Sequence, residues 1–140
     1  MVGWLVAPFV GHFGLVVVLF VALTVLRLRA VGAGETTFAD YARPDADRGA
    51  ALRVQRNLAN QFEAPLFAYV AMVIILIAGA VTAWDVVAAW IFLAGRIVHS
   101  AVQTLTDAVR LRGQVFTINF IGIMMLVGHV AWLVITGGLS

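Results

Sequence analysis

The sequence predicts an all-α membrane protein built as a bundle of four transmembrane helices. Of its 140 residues 63% are hydrophobic and only 11% are charged, whereas a soluble globular domain is roughly half apolar and a quarter charged. Mean hydropathy is +1.03. Four apolar runs each approach the roughly 20 residues that cross a bilayer core as a helix. None alternates polar and apolar residues as a barrel strand with a polar lumen face does.

The first run extends from about Trp4 to Leu26. The small residues around Ala30 loosely resemble a cleavage site. However, the run lacks a basic segment before it and is too long for a signal peptide, so it is expected to stay as a span. A polar loop follows, from about Ala30 to Arg48, holding Gly32, Gly34, Pro44, Asp40, Asp45 and Asp47. Pro44 disfavours helix at Arg43, and Asp45 or Asp47 is placed to cap the next helix. That helix is expected to start near Asp47, several turns before its apolar part from about Ala64 to Val81. The third span runs from about Val86 to Leu105 after a tight Trp84-Asp85 corner, and the fourth from about Phe116 to Ile135. A single domain over residues 1–140 accommodates all four.

Charge sets the expected orientation. All nine basic residues apart from histidine are arginine. Arg27, Arg29, Arg43, Arg48, Arg53 and Arg56 surround the first connection, and Arg110 and Arg112 lie in the third. By the positive-inside rule both connections are cytoplasmic and both termini lie on the other side, as in a multi-pass protein of a bacterial inner membrane. Trp4 and Trp84 fit an interfacial belt on that far side.

Composition also excludes. With no cysteine there is no disulfide, thiolate metal site or cysteine nucleophile. No phosphate loop, paired-histidine metal site or serine with a neighbouring base is present. A net charge of +2 is too weak and local for nucleic acid, and the few polar residues are too sparse to line a transport pathway.

Two polar constellations interrupt the apolar runs. Arg56, Asn60 and Glu63 fall at i, i+4 and i+7; Arg96, His99 and Gln103 fall at i, i+3 and i+7. Each set lies on one face of its helix, and ionisable groups at membrane depth usually mark function. Joining the second and third spans through a tight corner brings Glu63 near the level of Ala101 and Asn60 near Thr104. Arg96, some 7–8 Å deeper at 1.5 Å per residue, is then expected to reach Glu63 in a buried pair. With Arg53, the stripe holds more arginine than one glutamate neutralises, which suggests an anionic ligand such as a carboxylate. The bland alternative is that these groups link helices and anchor the bundle. Pro65 either bends the second helix after Glu63 and opens a pocket, or starts a new helix after a break. His12 and His129, single polar residues on apolar helices, are expected to make interhelical hydrogen bonds. Met72, Met124 and Met125 read as ordinary core or lipid-facing residues.

The segment Arg53-Val54-Gln55-Arg56-Asn57-Leu58-Ala59-Asn60-Gln61-Phe62-Glu63-Ala64-Pro65 resembles the entry to the second helix in the MAPEG family, the membrane-associated proteins in eicosanoid and glutathione metabolism. Gly95-Arg96-Ile97-Val98-His99-Ser100 is similar to that family's third-helix motif, and the four-span layout agrees, so the resemblance, to a bacterial-type member, covers most of the chain. It implies a homotrimer with sites between neighbours near the cytoplasmic face, where catalytic members present glutathione thiolate to a lipophilic electrophile or hydroperoxide. It carries glutathione binding onto Arg53, Arg56, Asn60, Glu63, Arg96, His99 and Gln103, and thiolate stabilisation onto Arg110 or Arg112. A cation beside the sulfur favours its charged form. Two departures stand out. Gln103 replaces a tyrosine of many catalytic members, and Ala64 replaces an aromatic residue of some. The expected function is a glutathione transferase or peroxidase acting on lipophilic small molecules in the membrane; the alternative is a non-catalytic lipid-binding or scaffold protein of the same fold.

Overall fold

The computed structural model describes residues 1–43 and 45–138, so Pro44 lies outside the described residues. Helix α1 spans Val2–Gly32, a 3-10 turn Phe38–Ala42, α2 Gly49–Asn60, α3 Ala64–Ile77, α4 Ala83–Leu105 and α5 Val109–Thr136. No strand occurs among the described residues. Four stretches are long and apolar enough to cross a membrane: α1, α2 together with α3, α4, and α5.

Helix α1 buries a seam of Leu5, Phe9, His12, Val16, Leu19 and Leu23, a three-to-four-residue spacing that keeps one face inward. Its outer face, including Val10, Phe13, Val17 and Phe20, is exposed, as suits a helix whose outer solvent is lipid. Its far end is tied down by Arg27, which donates to Asp47 through Nε at 3.0 Å and Nη2 at 2.5 Å. Asp47, expected as a cap, is therefore buried in this fork instead, and α2 has Arg48 at its N-cap with no side-chain cap bond. Asp45 does not cap it either.

The second crossing is not one helix. It breaks at Gln61–Glu63, and Glu63 becomes the N-cap of α3 with φ −91° and ψ −97°. Pro65 explains the break: it has no amide proton for the turn before it, and its ring collides with the carbonyl four residues back. In the first turn of a new helix the missing donor costs nothing. Of the two readings of Pro65, the helix start holds.

Helix α3 ends in a left-handed Gly79 with φ +63°, a conformation glycine adopts without a Cβ penalty. Helix α4 then starts on a capping box, with Thr82 N and Oγ1 donating to Asp85 Oδ2, each at 2.7 Å. The turn to α5 is short, and α5 begins at Val109, about two turns before the expected Phe116. Arg110 and Arg112 accordingly stand on the first turn of a helix and not in a loop.

Helices α4 and α5 meet almost backbone to backbone. A Cβ on Gly95 would lie 2.5 Å from the Asn119 amide nitrogen, and one on Gly122 would lie 2.6 Å from the Ala88 carbonyl. Small residues allow such approach between membrane helices.

Two apolar clusters form the core. One, at the end bearing both helical termini, includes Leu5, Phe9, Ile75, Phe92, Ile123 and Leu126. The other, towards the loop end, holds Val16, Leu19, Leu23, Val54 and Leu58. All four tryptophans belong to the terminal end. Trp4 lies 6.5 Å from Trp90, while Trp84 and Trp132 line one cavity there. Between the two clusters sits a polar layer.

Candidate functional site

The layer begins with Arg96, which is fully buried. Its Nε and Nη2 donate to Gln61 Oε1 at 3.1 and 2.7 Å, and Nη2 also donates to the Asn60 carbonyl at 2.9 Å. The expected Arg96–Glu63 pair does not form. The break carries Glu63 out of helical register into an exposed position, from which it acts on Arg96 only at a distance through its charge. The same break leaves helix-end carbonyls without their usual amide donors, and Asn60 offers one of these to the guanidinium.

From Arg96 the orientation of every amide follows. Arginine only donates, so Gln61 must turn its oxygen inward. Gln61 Oε1 lies 2.9 Å from His12 Nε2, and His12 Nδ1 lies 3.0 Å from the Tyr69 hydroxyl. Both histidines read as interhelical linkers are so engaged, since His129 Nδ1 meets Asp85 Oδ1 at 2.7 Å. Gln61 Nε2 donates to Asn57 Oδ1 at 2.9 Å and to Ser100 Oγ at 3.1 Å. Asn57 Nδ2 donates to Gln103 Oε1 at 2.9 Å, where Asn60 Nδ2 joins it at 3.1 Å. The oxygen of Gln103 is thus occupied twice, and the group it has left is its NH₂, a pure donor.

Gln103 opens onto a cleft of about 640 Å³ between α2, α4 and the start of α5. Arg56, Asn60, Glu63, His99 and Arg112 line the same cleft, with Phe116 forming a wall. His99 sits edge-on to Phe116, ring centres 5.7 Å apart, with a buried Nδ1 that has no partner. Among the described residues, the side chains of Arg56, Glu63 and Arg112 make no hydrogen bond or ion pair. Buried polar atoms are usually paired, so this orphan nitrogen is an exception just behind the cleft, whose surface itself carries unpaired charges of both signs suited to a polar ligand. The amino end of α5, whose N-cap Ala108 makes no side-chain cap bond, adds free amides and positive potential for an anion.

Of the nine residues singled out by sequence, six line this cleft. Arg53 faces a smaller hollow of about 260 Å³ beside it, which Arg56, Gln103 and Arg112 also border. Arg53 Nε donates to the Thr104 carbonyl at 3.1 Å, and Nη1 lies 3.5 Å from Asp107. Arg96 stays behind the cleft wall. Arg110 lines neither space. Two residues on a helix differ by about 200° in direction, so Arg112 and Arg110 point to opposite sides.

A model of the MAPEG family matches residues 5–132. The chain belongs to the MAPEG family. It is a multi-pass integral membrane protein of that family's glutathione and eicosanoid metabolism type. Comparison with curated proteins and with solved structures finds no match. Within this MAPEG chain, reading the sequence missed Asn57, Gln61 and Ser100 as members of the polar layer, and Phe116 as a cleft wall. Asn57 and Gln61 carried a usable signal: two amides at i, i+4 just before an apolar run, able to share one partner helix.

Proposed function

We propose that this protein binds glutathione in the cleft of Arg56, Asn60, Glu63, His99, Gln103 and Arg112, and acts as a transferase or peroxidase on lipophilic electrophiles or hydroperoxides. The observation that carries the reading is the presence in one cleft of unpaired charges of both signs, Arg56 and Arg112 against Glu63, as a ligand with both carboxylate and ammonium groups needs. Glutathione brings two carboxylates and one ammonium; Arg56 suits a carboxylate through a forked contact. Glu63, the one acid lining the cleft, suits the ammonium.

The thiol then falls to the α5 side. Arg112 supplies the cation that favours thiolate over thiol. The NH₂ of Gln103, held outward by both asparagines, supplies a directed donor where many members use a phenol. Arg110 has no part in this reading. Arg53 and Arg96 support it from outside, one at the edge of the cleft and one through Gln61. The same reading includes a homotrimer, which rests on the resemblance to the family. It also sets the arginine-bearing loops on the cytoplasmic side.

The test is an ultraviolet difference spectrum of the detergent-purified protein with glutathione. A thiolate band is expected for the wild type and for Arg110→Ala, and no band for Arg112→Ala. A band that survives Arg112→Ala refutes the assignment of the cation. No band in any folded form favours the alternative, a lipid-binding or scaffold protein of this fold.

A further inference from the structure

At the terminal end of the bundle, about 21 Å along α4 from His99 at 1.5 Å per residue, lies a second polar group that the cleft does not use. Asp85 is 2% exposed and accepts from Thr82 N and Oγ1 at Oδ2. Its other oxygen, Oδ1, sits 2.7 Å from His129 Nδ1. A carboxylate on Nδ1 draws a proton to Nδ1, and in the neutral ring Nε2 then presents a lone pair. Nε2 has no hydrogen-bond partner among the described residues, and it is not among the fully buried atoms that lack one. It therefore reaches open space, and His129 lines a cavity of about 390 Å³ together with Thr82, Trp84, Asp85, Met125 and Trp132.

We propose that this cavity is a second ligand site, one that takes a lipophilic phenol. The size falls within the range of small-molecule pockets, which pair apolar walls with a few placed polar groups. The walls are two indoles and a methionine, surfaces suited to a flat aromatic ring. The polar requirement is narrow. Asp85 is held almost wholly buried by its bonds to Thr82 and His129, so Nε2 is the acceptor best placed to meet a ligand. A phenol has one O–H to donate and is satisfied by it. A primary ammonium brings three donors and a charge, and leaves two of them unpaired in an apolar cavity, which is costly. A carboxylate brings negative charge beside Asp85, with no arginine at this end of the bundle to offset it. The imidazole, oriented by Asp85, thus selects a neutral hydroxyl on an aromatic body.

The experiment uses the full chain in phosphatidylcholine nanodiscs with ring-¹⁵N histidine, and compares a 4-alkylphenol with its methyl ether, which has the same shape and no donor. With only three histidines in the chain, each ring is separately assignable. The expected result is saturable phenol binding at least tenfold tighter than the ether, with the Nε2 resonance of His129 shifted and those of His12 and His99 unmoved. His129→Phe abolishes the phenol's advantage. The proposal is overturned if phenol and ether bind equally, if the advantage survives in His129→Phe, or if the shift appears at His99 instead. The wild-type ether comparison and the ¹⁵N shift decide the matter even where the variant fails to fold. Glutathione is absent throughout, so the outcome is independent of the function proposed for the cleft.

Discussion

Replacing Gln61 by leucine removes the one side chain that meets Arg96, His12, Asn57 and Ser100 together. Arg96 loses two of its three bonds and keeps only the Asn60 carbonyl, with Nη1 already unpartnered. Hydrogen bonds to charged groups contribute about 1.5–3 kcal/mol each, and uncovering a buried charge costs about 3–5 kcal/mol. Interhelical polar contacts in membranes have measured nearer 0.6 kcal/mol, because the unfolded chain also finds partners in the bilayer. A fully buried guanidinium belongs towards the larger figure, and we expect a loss of about 3 kcal/mol. Arg96→Met is expected to cost much less, about 1 kcal/mol, since it removes the charge together with its desolvation penalty. The double variant Gln61→Leu/Arg96→Met should then be more stable than Gln61→Leu alone, by about 1–2 kcal/mol. Reversible unfolding in mixed detergent micelles measures all four proteins. A loss under 1 kcal/mol for Gln61→Leu, or a double variant as unstable as the sum of the singles, refutes the view that Gln61 exists to cover Arg96.

Three further outcomes follow from the geometry. Gly122→Val drives a side chain into the Ala88 carbonyl and the Phe92 amide, which lie 2.6 and 2.7 Å from where its Cβ would stand; it should destabilise by about 1–3 kcal/mol or more, whereas Gly128→Ala, with nothing within 4 Å, should leave the melting temperature unchanged. Arg27→Ala strands the buried Asp47 carboxylate at a cost of about 1–3 kcal/mol, and hydrogen exchange across residues 35–47 should rise. Hydrogen bonds from the Thr37 amide, and next from its hydroxyl, hold the Asp40 carboxyl below its ordinary range. A lowered value means the turn gains stability once the pH exceeds the unfolded carboxylate range near 3.9. That gain is lost as pH falls through the lowered value, so amide resonances of residues 38–42 should report the turn intact at pH 5 and opening only in stronger acid.

The membrane fold was legible because its signal is compositional: four apolar runs leave little else to build. The candidate site was legible in part. Helical spacing grouped Arg56, Asn60 and Glu63, and Arg96, His99 and Gln103, yet the partners within the groups depended on a break that spacing alone leaves open. Once Pro65 starts a helix, Glu63 leaves the register assumed for the Arg96 pair, and Gln61 takes its place. Arg110 and Arg112 were inseparable while they stood in a presumed loop; a helix starting at Val109 separates them by direction. Gln61 and Asn57 went unread because each stands one residue past Asn60 or Arg56, about 100° round the helix from the face that the spacing picked out.

The clustering of all four indoles at one end of the bundle makes the protein's own fluorescence a one-sided signal. Trp4, Trp84, Trp90 and Trp132 share the terminal end, and the loop end emits nothing from tryptophan. In sealed vesicles, an aqueous quencher added outside dims the emission of molecules inserted with their termini outward and spares those inserted the other way. The quenched share of the emission from Trp4 and Trp84, nearest the helix ends, then reports the balance of the two orientations without a tag or a label.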